Sequence, residues 1–206
     1  MAKSDNTTNT TNTATQDSNS TTGSTTGATN ASSSNASSDM KDKPLHKLFV
    51  DSLKDIYYAE HALVDALQKM HDAATTEELK DAFEDHQLQT KKHISRLEKV
   101  FKSIDEKAEK KECEAIKGLI KEGEEIIKST EEGSMTRDAG LILAAQKVEH
   151  YEIATYGGLV QLAITMGHDK AADLLERTLE EEEDTDELLT DIAETSINFD
   201  AEQEEE

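Results

Sequence analysis

A chain of 206 residues is long enough for one domain and an appendage, and its formal net charge of −23 sets its surface against phosphate backbones, so nucleic-acid binding is not expected. No stretch approaches the roughly 18 apolar residues of a membrane span, and a membrane role is not expected either. The single cysteine, Cys113, leaves no intrachain disulfide and no Cys-based zinc site to consider.

Residues 1–43 are mostly Thr, Ser, Asn, Ala and Gly. A segment this poor in apolar side chains cannot offset its ordering entropy, and it is expected to be a disordered tail. It has neither the basic start and apolar run of a secretory signal nor an Arg-rich amphipathic face, so a cytoplasmic address is expected. Almost all the negative charge therefore belongs to 44–206, divided into a helical domain, 44–197, and an acidic C-terminal tail, 198–206.

From Pro44, the only proline, the period is helical throughout. The first helix is expected over about 44–72, with Phe49, Leu53, Ile56, Leu63, Leu67 and Met70 on one face and Glu60 among them. After a short turn, Thr75 and Glu78 have capping-box spacing. A second helix then runs to about Ile104 with Leu79, Ala82, Phe83, His86, Thr90, His93, Leu97 and Val100 inward. A shorter amphipathic helix, about 110–130, carries Ile116, Leu119, Ile120, Ile126 and Ile127. The next long helix, about 135–166, buries Leu141, Ala145, Val148, Thr155, Leu159 and Leu162 and closes at Gly167, a natural C′ residue. Asp169 is placed to cap the last helix, whose inward positions are Leu174 or Leu175, Leu179, Glu182, Asp186, Leu189 and Ile192 or Ala193. The expected fold is all-α: two helix hairpins form a ferritin-like four-helix bundle, joined by one long crossover that contains an additional helix. An ordinary five-helix array is the alternative. Apolar residues beyond a single stripe on the first helix, Leu48, Val50 and Val64, predict a homodimer.

Charges on the buried face of a bundle helix are costly unless paired, and here they recur on four helices. Glu152 sits on the stripe of the third long helix with Glu149 one turn earlier on its flank. Folding each hairpin antiparallel at ~1.5 Å per residue sets Glu152 opposite Glu182, Glu149 opposite Asp186, and Glu60 opposite His86. His93 lies seven residues beyond His86, about 10 Å along the axis, whereas the ions of a two-metal site sit only ~3.5–4 Å apart. His86 is therefore the preferred ligand, and His93 and Gln89 rank second. The set Glu60, His86, Glu149, Glu152, Glu182 and Asp186 suits iron or manganese, hard ions that favour carboxylate oxygen with an imidazole. The tyrosines read as core aromatics or hydrogen-bond donors to this set. His46, His61, His71, His150 and His168, and Glu180, Glu181 and Glu183, read as solvated.

The run from Lys147 to Gly157, the segments Asp55–Glu60 and Thr178–Glu182 with Thr185 and Asp186, and Gly118–Gly123 resemble the YciE/YciF-type ferritin-like proteins, a stress-linked family. The resemblance covers about 45–193 and implies a ferritin-like fold, dimers and a di-iron centre. The family's usual His-Leu-Glu-Glu-Thr reads here His86-Gln87-Leu88-Gln89-Thr90, a neutral amide in place of one carboxylate. Two functions follow as expectations. One is a bundle with a di-iron or manganese pair, working in iron handling or on a small-molecule oxidant such as oxygen or peroxide. The other is a metal-free dimeric structural or interaction protein.

Overall fold

The computed structural model describes residues 42–205, so the tail expected over 1–43 lies almost wholly outside the described residues. The helices are α1 (Pro44–Ala73), α2 (Glu77–Ser103), α3 (Glu114–Ser129), α4 (Met135–Thr165) and α5 (Asp169–Ile192), followed by a π-turn (Ala193–Ile197) and a short α6 (Asn198–Glu202). The antiparallel hairpins α1–α2 and α4–α5 pack together through α2 against α5 and α1 against α4, closing a four-helix bundle. The crossover helix α3 lies outside it, in the groove over α4 and α1.

The 3.6-residue stripe accounts for this arrangement. Phe49, Leu53, Ile56, Leu63, Leu67 and Met70 of α1 meet Leu79, Phe83, Leu97 and Val100 of α2, and all are buried. Of the apolar residues expected outside the stripe, Leu48 is exposed and Val64 half-buried, but Val50 is buried. On α4, Tyr156 takes the buried position that the sequence suggested for Thr155. On α5 the phase set by Leu175, Leu189 and Ile192 turns Thr178 and Thr185 inward, leaving Leu179 and Asp186 on the flank. Apolarity favoured Leu179 in the sequence, but helical phase decides.

Helix ends depart most from expectation. The Thr75–Glu78 capping box does not form; α2 begins one residue later, with Thr76 as an N-cap that makes no side-chain cap bond. Asp138, from the first turn of α4, caps it instead. Its carboxylate accepts from the Thr75 N–H (2.7 Å), the Thr76 N–H (2.8 Å) and the Thr76 hydroxyl (2.9 Å). At the other hairpin Gly167 closes α4 at φ +73, as expected, while His168 rather than Asp169 holds the N-cap position of α5. The stretch 198–206 does not begin as a free acidic tail. The π-turn shifts the helical phase so that Ile197 is buried, the chain stays helical to Glu202, and Glu204 accepts from the Thr136 N–H (3.0 Å) at the start of α4. Close approach of α3 to α4 depends on Gly140, where a Cβ would lie 2.7 Å from Ile126 Cγ2.

Candidate metal centre

Halfway along the bundle the apolar stripe is interrupted on all four long helices at one level. Glu60 of α1, His86 and His93 of α2, Glu149 and Glu152 of α4, and Glu182 of α5 are each at most 4 % exposed. The Glu149–Glu152 spacing of three residues puts both carboxylates on one face, and the seven-residue spacing of His86 and His93 does the same over two turns.

These side chains form two overlapping groups. His86, Glu149, Glu152 and Glu182 make one, and Glu60, His93 and Glu182 the other; within each, one ligand atom per residue lies within 4.8 Å of the rest. Glu182 is common to both. Its Oε2 is 3.9 Å from His86 Nε2, and its Oε1 is 2.9 Å from His93 Nδ1. His86 Nε2 is also 3.2 Å from Glu149 Oε1, and His93 Nδ1 is 3.6 Å from Glu60 Oε1.

Five of the six preferred ligands thus converge, and two assignments change. His93 belongs to the cluster alongside His86. The Cα rise along α2 overstated the distance between the rings, because both reach one carboxylate from opposite sides. Asp186 stays outside. It is half-buried on the flank of α5, where Gln146 Nε2 donates to it (3.3 Å) and His150 Nε2 lies 3.6 Å away. Gln89 is half-buried on α2, between the inward residues His86, Thr90 and His93.

Two other polar residues were misplaced by sequence reasoning. Glu181, expected on a wet face, pairs with His93 and Arg96. His46 is buried at the end of the bundle, with Nε2 3.4 Å from Glu106 and its ring 5.7 Å from that of His168. Tyr156 takes the hydrogen-bond-donor role expected among the tyrosines, donating from its hydroxyl to Glu60, whereas Tyr57 and Tyr151 do not reach the cluster. The other two hydroxyls turn away, Tyr57 to Glu98 (3.1 Å) and Tyr151 to the Cys113 thiol (3.2 Å).

The cluster leaves several polar atoms open to a metal ion. Glu60 Oε2, Glu149 Oε2, Glu152 Oε1, both oxygens of Glu182 and His93 Nδ1 are buried without a hydrogen-bond partner. His93 Nδ1 and Glu182 Oε1 are 2.9 Å apart, close enough to pair as ions when the ring is protonated but without the alignment of a hydrogen bond. Leaving so many polar atoms unsatisfied costs about 1–3 kcal/mol each, more for charged groups. Four carboxylates with both imidazoles neutral carry the charge that two divalent cations would balance. Carboxylate oxygen with one imidazole per ion is a donor set for hard or borderline metals.

Without metal the cluster holds protons. Burial pushes the carboxyls of Glu60, Glu152 and Glu182 up; at Glu152 the neighbouring carboxylates add to this, whereas at Glu60 and Glu182 nearby histidines partly offset it. Burial alone would lower both histidines. Glu149 and Glu182 outweigh it at His86, raising it to about 9, and Glu182 and Glu60 do so at His93, raising it to about 10. A histidine raised above its unfolded value of about 6.5 contributes stability that is complete below that pH and lost as pH rises through the folded value. The raised carboxyls likewise favour the folded state on the acid side. The metal-free protein should therefore melt at progressively lower temperature between pH 6.5 and pH 10. Metal ions displace these protons, so added Mn²⁺ should oppose the decline. Thermal melts in chelator at several pH values check this, and a flat profile over that window would contradict it.

A protein-family model described as a domain of unknown function (DUF892) matches residues 44–202. Protein YciF of Escherichia coli (strain K12) is 46% identical over 164 residues, covering 79% of this chain and 98% of that protein. The crystal structure of the E. coli stress protein YciF has a TM-score of 0.73 at 46% sequence identity, covering 76% of this chain and 98% of that one. The structure of YcfI from Rhodopseudomonas palustris gives 0.69 at 38% identity, covering 72% and 94%. No described helix is long and apolar enough to cross a membrane.

Proposed function

The chain belongs to the DUF892 family, and we propose that it binds two ions of iron or manganese in its bundle core. The carrying observation is the set of unpartnered buried oxygens shared between the two ligand groups, centred on Glu182. Glu60 and His93 would hold one ion and His86, Glu149 and Glu152 the other, with Glu182 available to both. When bound, such a pair would supply Lewis acidity and electrons to a small oxidant, dioxygen or peroxide.

The residues of the chain do the rest. The apolar belts above and below, Ile56 and Leu63 on α1 and Val148 and Leu159 on α4, exclude water and strengthen electrostatics at the site. Tyr156 keeps one oxygen of Glu60 hydrogen-bonded, fixing that carboxylate while leaving its second oxygen free. The description of the solved E. coli relative as a stress protein is consistent with a role in handling iron or an oxidant under stress.

Glu152→Gln tests the assignment. It keeps the side chain's shape but removes one anionic oxygen from the His86 group alone, so about half the bound metal should be lost. The metal-free fold should keep its melting temperature or gain, because repulsion among buried carboxylates is relieved. Metal analysis by mass spectrometry reads the first effect and melting curves the second. Equal metal in variant and wild type would remove Glu152 from the ligand set. Absence of metal from both would leave the metal-free interaction protein as the reading.

A further inference from the structure

The two histidines of the cluster are backed differently, and the difference divides the two metal positions. Behind His86, Nδ1 faces the Thr185 hydroxyl at 3.4 Å, a neutral partner at the long limit of a hydrogen bond. Behind His93, Nε2–H donates to Glu181 Oε2 at 2.7 Å, a charge-assisted bond. Glu181 is in turn clamped. Arg96 Nη2 donates to its Oε1 (2.8 Å) and Nη1 to its Oε2 (3.0 Å), while Nη1 also reaches Thr178 Oγ1 (2.7 Å). The clamp is periodic: His93 and Arg96 are three apart on α2, and Thr178 and Glu181 three apart on α5, so one helical face supplies each half.

We propose that Glu181, fixed by Arg96, is the positioning residue of the His93 metal position, and that it makes the two positions inequivalent. Its carboxylate holds the proton of His93 on Nε2, so the lone pair of Nδ1 is directed into the cluster toward Glu60 and Glu182. It also makes that imidazole the more electron-donating of the two ligands. The ion at His93 is held by a carboxylate-backed histidine, and the ion at His86 by one backed only by a hydroxyl. Outer partners of this kind are worth 10–100-fold in metal affinity, an order-of-magnitude figure. The proposal rests on the two-ion reading and adds to it which position Glu181 governs.

The test is anaerobic titration of the full chain with Mn²⁺, for wild type, Glu181→Gln, His93→Gln and the double variant, with metal-free melting curves alongside. Glu181 is 31 % exposed, so the glutamine variant should fold normally. Wild type should take up two equivalents. In Glu181→Gln one equivalent should weaken by roughly 10–100-fold while the other is retained and the metal-free melting temperature holds. Adding Glu181→Gln to His93→Gln should then change nothing further, because the residue acts through that ring. Two unchanged equivalents in Glu181→Gln would overturn the proposal and leave the two-ion site standing. Equal weakening of both, with a lower metal-free melting temperature, would mark Glu181 as structural only and overturn it as well. A wild type that binds no Mn²⁺ would overturn the two-ion reading itself, and this inference with it.

Discussion

Glu182→Gln is expected to empty both metal positions at once, with a loss of affinity on the order of 100-fold or more at each, at or above the upper end for outer partners. Glu182 is the residue common to both ligand groups, it is fully buried, and neither of its oxygens has a hydrogen-bond partner. Glutamine keeps the volume but offers one neutral carbonyl oxygen, and its amide presents protons to space where a cation would sit. Glu149→Gln should disturb only the His86 position and Glu60→Gln only the His93 position, so Glu182 stands apart by the breadth of its effect. In the metal-free fold the variant removes repulsion with Glu149 but also a carboxylate that raises His86 and His93, so the decline of melting temperature with pH should be shallower than in wild type. Retention of both ions by Glu182→Gln, measured by mass spectrometry after gel filtration, would show that the ions lie elsewhere.

Asp138→Ala is expected to cause the largest loss of stability without touching the metal centre. Asp138 is fully buried and accepts three hydrogen bonds from the residues that lead into α2, two of them from the backbone N–H groups of Thr75 and the N-cap Thr76. Loss of an N-cap costs about 0.5–2 kcal/mol, and bonds to a charged acceptor are the stronger class, so about 2–3 kcal/mol is expected here. For a domain of this size that corresponds to a fall of roughly 4–12 °C in melting temperature. Asp138 lies 11 residues from Glu149 on the same helix, about 16 Å away along the axis, so metal uptake at low temperature should be retained. A melting temperature within about 2 °C of wild type, half the smallest expected fall, would show that the turn is held by something else.

Asp138 also marks where sequence reasoning stops. The four long helices and the crossover helix were legible from apolar periodicity, and so was the level of the site, since antiparallel hairpins with short turns fix which residues face one another. Glu60, His86, Glu149, Glu152 and Glu182 lie buried together, as expected from polar residues on or beside an otherwise apolar stripe. Most of the misreadings share one cause: a partner on another helix. Thr75 and Glu78 have the spacing of a local capping box, but a carboxylate 62 or 63 residues away makes the bonds. Asp186 and Thr185 are neighbours, and helical phase, set by packing against α2 and α4, turned the threonine inward. Glu181 resembles the wet residues on either side of it, and only the approach of α2 reveals Arg96 and His93 beside it. For His93 the signal was present in its heptad spacing from His86, which puts both on one face. It was discounted because axial rise between Cα atoms was taken for the separation of ligand atoms.

The central claim, a two-ion centre in the bundle core, is tested most directly by titrating chelator-stripped wild-type protein with Mn²⁺ or Fe²⁺ under anaerobic conditions and counting equivalents. The predicted result is two ions per chain, with protons released on binding and a rise in melting temperature. At 100-fold excess over Kd that gain is about 2.7 kcal/mol, or roughly 5–10 °C for a domain of this size. No bound metal and no gain in thermal stability would contradict it, and would mean that the buried glutamates hold protons rather than metal.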